Sequence, residues 1–481
     1  MTVTAPTTDR TTADADAACP PAAERAGLDQ SRTFGRTDAP GRLDAFGPLV
    51  GVSGADLEVP LVDGRSVRYA NLDYAASAPA LDAVLADQQR ILPYYASVHR
   101  GAGYASAVST ALYEQSRRTV ADFVGARDDD LTIFTRNTTD ALNLLAGAVP
   151  AGSPVVCLDI EHHANLLPWQ GLGATIVKAS RSLTTTLDDL DRTLQRTGAG
   201  LLAITGASNV TGEVLPLARL ADLAHRHGAR LAVDGAQLVP HRRVDLAATG
   251  IDYLVFSGHK LYAPFGSGAL IGRADWLESA PPYLAGGGAV RKVTVEHTDW
   301  ADGVARHEGG TPNVLGAAAV AAACRAIAEI GDDHLRRHEW RLRTRLLSRL
   351  AGLREVRLLS IWDDCTDAVG VVGFTVDSYD AGLVAAYLSA EHGIGVRDGA
   401  FCAHPLAARL GLTGGALRVS FGVGSGSEDI DRLLSALQSL VEDGPQWRYE
   451  LVDSRYQPVG DPRPKPAWLD SLDAAADPCR G

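Results

Sequence analysis

A mainly parallel α/β sheet flanked by helices, followed by a smaller α+β lobe, is the fold class this sequence predicts. Three observations predict it. Short apolar runs of strand length alternate with amphipathic stretches of helical period through the first two thirds of the chain. Helix-rich sequence with one further strand-like run follows. At 481 residues the chain is also long enough for a large domain with a smaller companion.

Taken in order, residues 1–40 are rich in Ala, Thr, Asp, Arg and Pro without apolar periodicity, and read as a flexible leader with no secretory apolar stretch. Residues 41–315 are expected to form the large domain, its N-terminal segment contributing to the smaller one. Strand candidates there are 131–135, 154–158, 201–205, 230–234 and 253–257, with an amphipathic stretch at 217–226. Residues 316–443 are expected to be the small domain. An Ala-rich helix from Gly316 and helical sequence over 336–350 precede a strand at 371–376, a helix at 379–391 and a last helix at 428–441. Residues 444–481 form a Pro-rich tail whose Trp447 and Trp468 suggest docking on the body.

Composition narrows the function classes. Hydrophobic residues make up 46% and charged residues 21%, and no run of eighteen apolar residues offers a membrane span. A net charge of −13 argues against nucleic acid as the main partner. The cysteines Cys19, Cys157, Cys324, Cys365, Cys402 and Cys479 are dispersed without a Cys-x-x-Cys pair, which fits a reducing cytoplasm and suggests no metal site.

Of 45 basic residues only Lys178, Lys260, Lys292 and Lys465 are lysines, so few side chains can lose a proton and form an imine. Lys260 has the best setting, following the apolar run Leu-Val-Phe-Ser-Gly-His-Lys at what would be the functional edge of a sheet. Asp234 ends the run Leu-Ala-Val-Asp, 26 residues earlier, where a carboxylate can keep a pyridine nitrogen protonated; Asp-Gly after a strand is also a common turn. Gln237 could reach a ring hydroxyl. Asn137-Thr138-Thr139 offers hydroxyls and amides for a phosphate, or an ordinary helix cap. Ser257 and His259 flank the lysine as further donors, and His162 could stack on a ring.

These segments together resemble the class V aminotransferase family of pyridoxal-phosphate (PLP) enzymes of fold type I, and most of all its cysteine desulfurase and selenocysteine lyase branch. The stretches that carry the resemblance are Leu-Asp-Tyr-Ala-Ala-Ser-Ala-Pro (72–79), Val-His-Arg-Gly (98–101), Arg-Asn-Thr-Thr-Asp (136–140), Glu-His-His-Ala-Asn (161–165), Ser-Asn-Val-Thr-Gly (208–212), Val-Asp-Gly-Ala-Gln (233–237), Ser-Gly-His-Lys-Leu-Tyr-Ala-Pro (257–264) and Glu-Gly-Gly-Thr-Pro-Asn (308–313). The resemblance implies a large domain with a seven-stranded sheet. It implies that Lys260 carries PLP, Asp234 pairs with its ring nitrogen, Gln237 meets the ring oxygen and His162 stacks on the ring. Thr138, Thr139, Ser257 and His259 would hold the phosphate, and Thr311 would reach the phosphate of a neighbouring subunit in a homodimer with shared sites. Asn209, Arg397 and Arg418 would receive the substrate.

The segment Arg397-Asp-Gly-Ala-Phe-Cys-Ala-His-Pro405 is similar to the short-loop type of cysteine desulfurase, in which the cysteine, here Cys402, accepts sulfur. L-cysteine would then become L-alanine, with a persulfide on Cys402 awaiting a sulfur-acceptor protein. The chain departs from that type at Phe401, where histidine is usual, and at Ala400. Phe401 removes a possible proton carrier. A C–S lyase, epimerase or aminotransferase acting on another amino acid is the alternative reading, and a non-catalytic scaffold is a third.

Overall fold

The computed structural model describes residues 44–466 and Trp468; the leader at 1–40, Cys19 and Cys479 lie outside the described residues. A seven-stranded sheet forms the centre. Its strands are β1 (Asp130–Thr135), β2 (Val155–Leu158), β3 (Thr175–Val177), β4 (Leu201–Thr205), β5 (Arg230–Asp234), β6 (Tyr253–Ser257) and β7 (Gly268–Arg273). Their spatial order is β1-β7-β6-β5-β4-β2-β3. The pairs from β6 through β5, β4 and β2 to β3 are parallel, while β7 runs antiparallel between β6 and β1.

The parallel strands are apolar on both faces because helices cover both. β4 and β6 are buried at every position, and each large side chain so enclosed contributes roughly 1.5–3 kcal/mol. The elements that cover the sheet include α1 (Tyr104–Phe123), α2 (Thr138–Ala148) and α3 (Leu217–Arg226). α3 turns Leu220, Ala221, Leu223 and Ala224 inward at helical spacing. α2 starts where Asn137 accepts the Asp140 N–H, a cap that sets its first turn at the carboxyl end of β1. α4 (Val314–Ile330), which the sequence places at the opening of the smaller lobe, packs on α1 with most of its alanines, from Ala317 to Ala323, buried. By packing it belongs beside the large sheet.

α5 (Asp332–Leu350) leads to a four-stranded antiparallel sheet that includes β10 (Val371–Val376), β11 (Arg397–Gly399) and β12 (Ala416–Ser420). A hairpin of β8 (Val290–Val293) and β9 (Thr298–Trp300) lies between the two sheets in sequence. α6 (Ala381–His392) and α8 (Ser427–Asp443) cover the second sheet, and the short α7 (His404–Arg409) follows Cys402. The N-terminal segment joins this lobe, since Ala70–Asn71 pairs in parallel with Ile394–Gly395. The tail forms a last hairpin, β13 (Tyr449–Val452) with β14 (Arg455–Pro458), on α6. Trp447 docks by donating its main-chain N–H to Glu391 and its indole N–H to the Val459 carbonyl. Trp468, expected to dock as well, is 73% exposed.

Candidate functional site

The carboxyl ends of the parallel strands open on a cavity of about 230 Å³. β6 ends at Ser257, and the tight turn that follows presents Lys260. Gly258 is required there, because a Cβ would stand 2.7 Å from the Ser267 carbonyl and 2.9 Å from that of Ala263. The Lys260 amine faces the cavity, and burial lowers its pKa to about 8, with Asp234 pulling the other way and Arg418 and Arg397 adding to the fall. At pH 7 about one amine in ten is then neutral, against fewer than about one in a thousand for an ordinary lysine.

Asp234, at the end of β5, is 4% exposed, and burial raises its pKa. Its Oδ1 accepts the Ala236 N–H at 2.9 Å; Oδ2 meets no donor among the described residues. Gln237 also lines the cavity, and its amide nitrogen donates to the Ala75 carbonyl at 2.8 Å. His162 keeps a neutral ring: Nδ1 accepts the Ala164 N–H at 3.0 Å, and burial, with Lys260 nearby, lowers its pKa to about 3. Behind it Glu161 is fully buried, so its pKa stands well above the carboxylate range, and it accepts from Asn165.

The other end of the cavity is a set of donors. Thr138 shares its hydroxyl with Ser257 at 2.7 Å, and its N–H donates to the same Ser257 oxygen at 2.8 Å. Thr139 and His259 stand beside them; burial, then Lys260, lowers the His259 pKa to about 4. Hydroxyls and a helix start make a phosphate cradle. A free buried carboxylate oxygen, a neutral imidazole, a depressed amine and this cradle fit PLP without a competing group.

The smaller lobe supplies the opposite wall. Arg418, on β12, is 2% exposed; its guanidinium donates to Asp73 at 2.9 Å and to the Asn209 carbonyl at 3.1 Å, and Nε has no partner. Arg397, on β11 and paired in the ladder with Arg418, lines the cavity, and its guanidinium makes no hydrogen bond or ion pair to a described residue. Asn209 lines it too, but donates to the Phe401 carbonyl at 2.8 Å. Phe401 is 3% exposed and lies under the Arg418 guanidinium at 5.3 Å. Cys402 completes this wall, partly exposed.

The cavity therefore gathers every residue singled out from the sequence except Thr311, which is exposed and outside it. Sequence reasoning missed Asp73, which holds Arg418, and Ala75, which orients Gln237; both lie in the Leu-Asp-Tyr-Ala-Ala segment, the only signal they left.

Comparison with known proteins finds relatives along most of the chain. The family model for aminotransferase class-V matches residues 70–433. A cysteine desulfurase from Klebsiella pneumoniae (strain 342) is 37% identical over 391 residues, spanning 79% of this chain and 94% of the relative. Another, from Dickeya dadantii (strain 3937), is 38% identical, covering 79% and 93%. Among solved structures, the apo cysteine desulfurase from Thermococcus onnurineus NA1 superposes with a TM-score of 0.73 at 32% identity, covering 82% of this chain and 99% of its own. The S-sulfonic acid form of the cysteine desulfurase CsdA from Escherichia coli gives 0.70 at 32%, covering 78% and 95%.

Proposed function

The chain belongs to the class-V aminotransferase family, and from that membership we propose that it is a PLP-dependent cysteine desulfurase converting L-cysteine to L-alanine with a persulfide on Cys402. The observation that carries this is a single cavity holding the Lys260 amine on one wall and the Cys402 thiol on the other.

PLP, when bound, supplies an electron sink that weakens bonds at the amino acid's Cα and Cβ. Asp234 Oδ2 would keep its ring nitrogen protonated, the neutral His162 ring would stack on it, Gln237 would meet the ring oxygen, and Thr138, Thr139, Ser257 and His259 would hold the phosphate. The Arg397 guanidinium, unpaired, and the free Nε–H of Arg418 take the substrate carboxylate. Lys260 Nζ, poised near neutrality, takes the Cα proton and returns it. Cys402, as thiolate, bonds to the substrate sulfur while the Cβ–S bond breaks; the departing alanine gains its protons at Cα and Cβ.

A homodimer follows from the same reading. Arg100 donates to the carbonyls of Gly287 and Gly310, holding the loops that carry exposed Leu284 and Thr311 beside the segment bearing exposed Tyr94, Tyr95 and Tyr104. That apolar surface suits a second copy, whose phosphate site Thr311 would reach. Cytoplasmic reducing conditions would keep Cys402 a thiol, and an acceptor protein would take the sulfur.

The test is turnover of L-cysteine by the PLP-loaded protein, read as alanine. Cys402→Ser is expected to lose about a hundredfold or more in kcat; equal turnover overturns the thiol mechanism. A second reading, a C–S lyase, epimerase or aminotransferase on another amino acid, draws on Phe401, which puts an apolar ring in the substrate wall. A panel of amino acids, each assayed for product, separates the two.

A further inference from the structure

The segment carrying Cys402 holds a conformation that its own residues disfavour. Phe401 and Cys402 have φ of 56° and 54°, consecutive left-handed residues with full side chains and no glycine at either place. Such a pair persists only where its surroundings over-determine it. Asn209 holds the first residue, through the bond to the Phe401 carbonyl. The second is held by one residue acting twice: the His163 N–H donates to the Cys402 carbonyl at 2.8 Å, and the His163 Nε2 accepts the His404 N–H at 3.3 Å. These two bonds bracket Cys402-Ala403 from both sides.

The second bond has a physical reason. His404 is the first residue of α7, and Pro405 follows it, so the His404 N–H is one of the donors that a helix start leaves without an intrahelical acceptor. Nε2 of His163 supplies an acceptor, which places its proton on Nδ1 and makes the ring neutral. Burial and the neighbouring His404 lower the His163 pKa, in keeping with a neutral ring. The two rings meet edge to face at 4.5 Å and 86°. Neither His163 nor His404 lines the cavity, so they act from behind the loop.

We propose that His163 is a positioning residue for the nucleophile, its main-chain donor and imidazole acceptor together locking Cys402 in the left-handed turn that presents it to the cavity. The dipeptide His162-His163 then serves both sites, one ring lining the cavity and the next gripping the loop opposite. This rests on the reading of Cys402 as the sulfur acceptor.

The test uses three variants of the PLP-loaded protein. His163→Phe keeps an aromatic edge against His404 but removes the acceptor; His163→Gln restores an acceptor at similar reach; His404→Ala removes the second ring and keeps the main-chain N–H. His163→Phe is expected to lose about tenfold in kcat for alanine with KM for L-cysteine within about twofold, since misplacing a reacting atom costs rate more than affinity. The Gln and Ala variants should stay within about threefold of the parent. Iodoacetamide labelling read on the Cys402 peptide should quicken about threefold or more in His163→Phe alone. Should His163→Phe not fold, His163→Ala takes its place with the same expectation. The proposal is overturned if the acceptor-less variant keeps parental kcat, if Gln fails to restore it, or if His404→Ala falls equally far. Full turnover by Cys402→Ser would sink the underlying reading instead; an inactive Cys402→Ser beside a parental His163→Phe sinks only the clamp.

Discussion

The two walls of the cavity are built in opposite ways. The Lys260 wall comes from strand ends of one sheet: Asp234 and Ser257 close β5 and β6, Thr138 opens the helix after β1, and the buried bonds there are short, Thr138 to Ser257 and the Ala236 N–H to Asp234. The Cys402 wall comes from a loop at the end of β11 with two left-handed residues, held by contacts from residues about 190 to 240 positions away in sequence. The core places the first wall directly; it also anchors the second through Phe401 and Ala403, but the left-handed backbone at Cys402 between them relies on a few specific bonds. Damage to the first should therefore cost chemistry outright, and damage to the second should cost rate in proportion to the bonds removed.

Lys260→Ala is the largest expected effect, a loss of about a thousandfold or more in alanine formation because no other lysine lines the cavity. A residual rate within tenfold of the parent would remove the distinction between the walls. Burial of the same lysine also costs stability. Its pKa in the folded chain, about 8, lies below the ordinary 10.5, so between those values the unfolded chain binds more protons and stability rises with pH. At pH 7 the cofactor-free Lys260→Met variant should be more stable than its cofactor-free parent by about 3 kcal/mol, and the gap should close towards pH 10.5; urea unfolding across that range measures it. On the loop wall, Arg397→Ala should raise KM for L-cysteine about tenfold with a smaller change in kcat, sharpening its assignment as a carboxylate contact. The smallest effect belongs to the tail hairpin. Tyr456→Phe removes an exposed bond to Asp380 at the start of α6, and should change stability by about 0.5 kcal/mol and leave kcat unchanged.

The same contrast explains what could be read from the sequence. β4, β5 and β6 and the helix α3 fall where periodicity places them, because buried parallel strands are written as continuous apolar runs and their last residues then fall at the site. β7 was absent from the expected strands: its run, Gly-Ala-Leu-Ile-Gly-Arg, is bounded by glycines, and only its partners β6 and β1 make it a strand. The hairpin of β13 and β14 lay hidden in a Pro-rich tail for a like reason. On the loop wall the identities of Arg397, Cys402 and Arg418 were legible through motif. Their settings were not, since the Asp73–Arg418 pair and the grip of His163 on the loop join residues that no local pattern connects.

The central claim is that Lys260 holds PLP beside Asp234 in this cavity. Borohydride reduction of the PLP-loaded protein, followed by proteolysis and mapping of the labelled peptide, tests it most directly. The account predicts one reduced adduct, on Lys260; an adduct on Lys178, Lys292 or Lys465, or none, would contradict it.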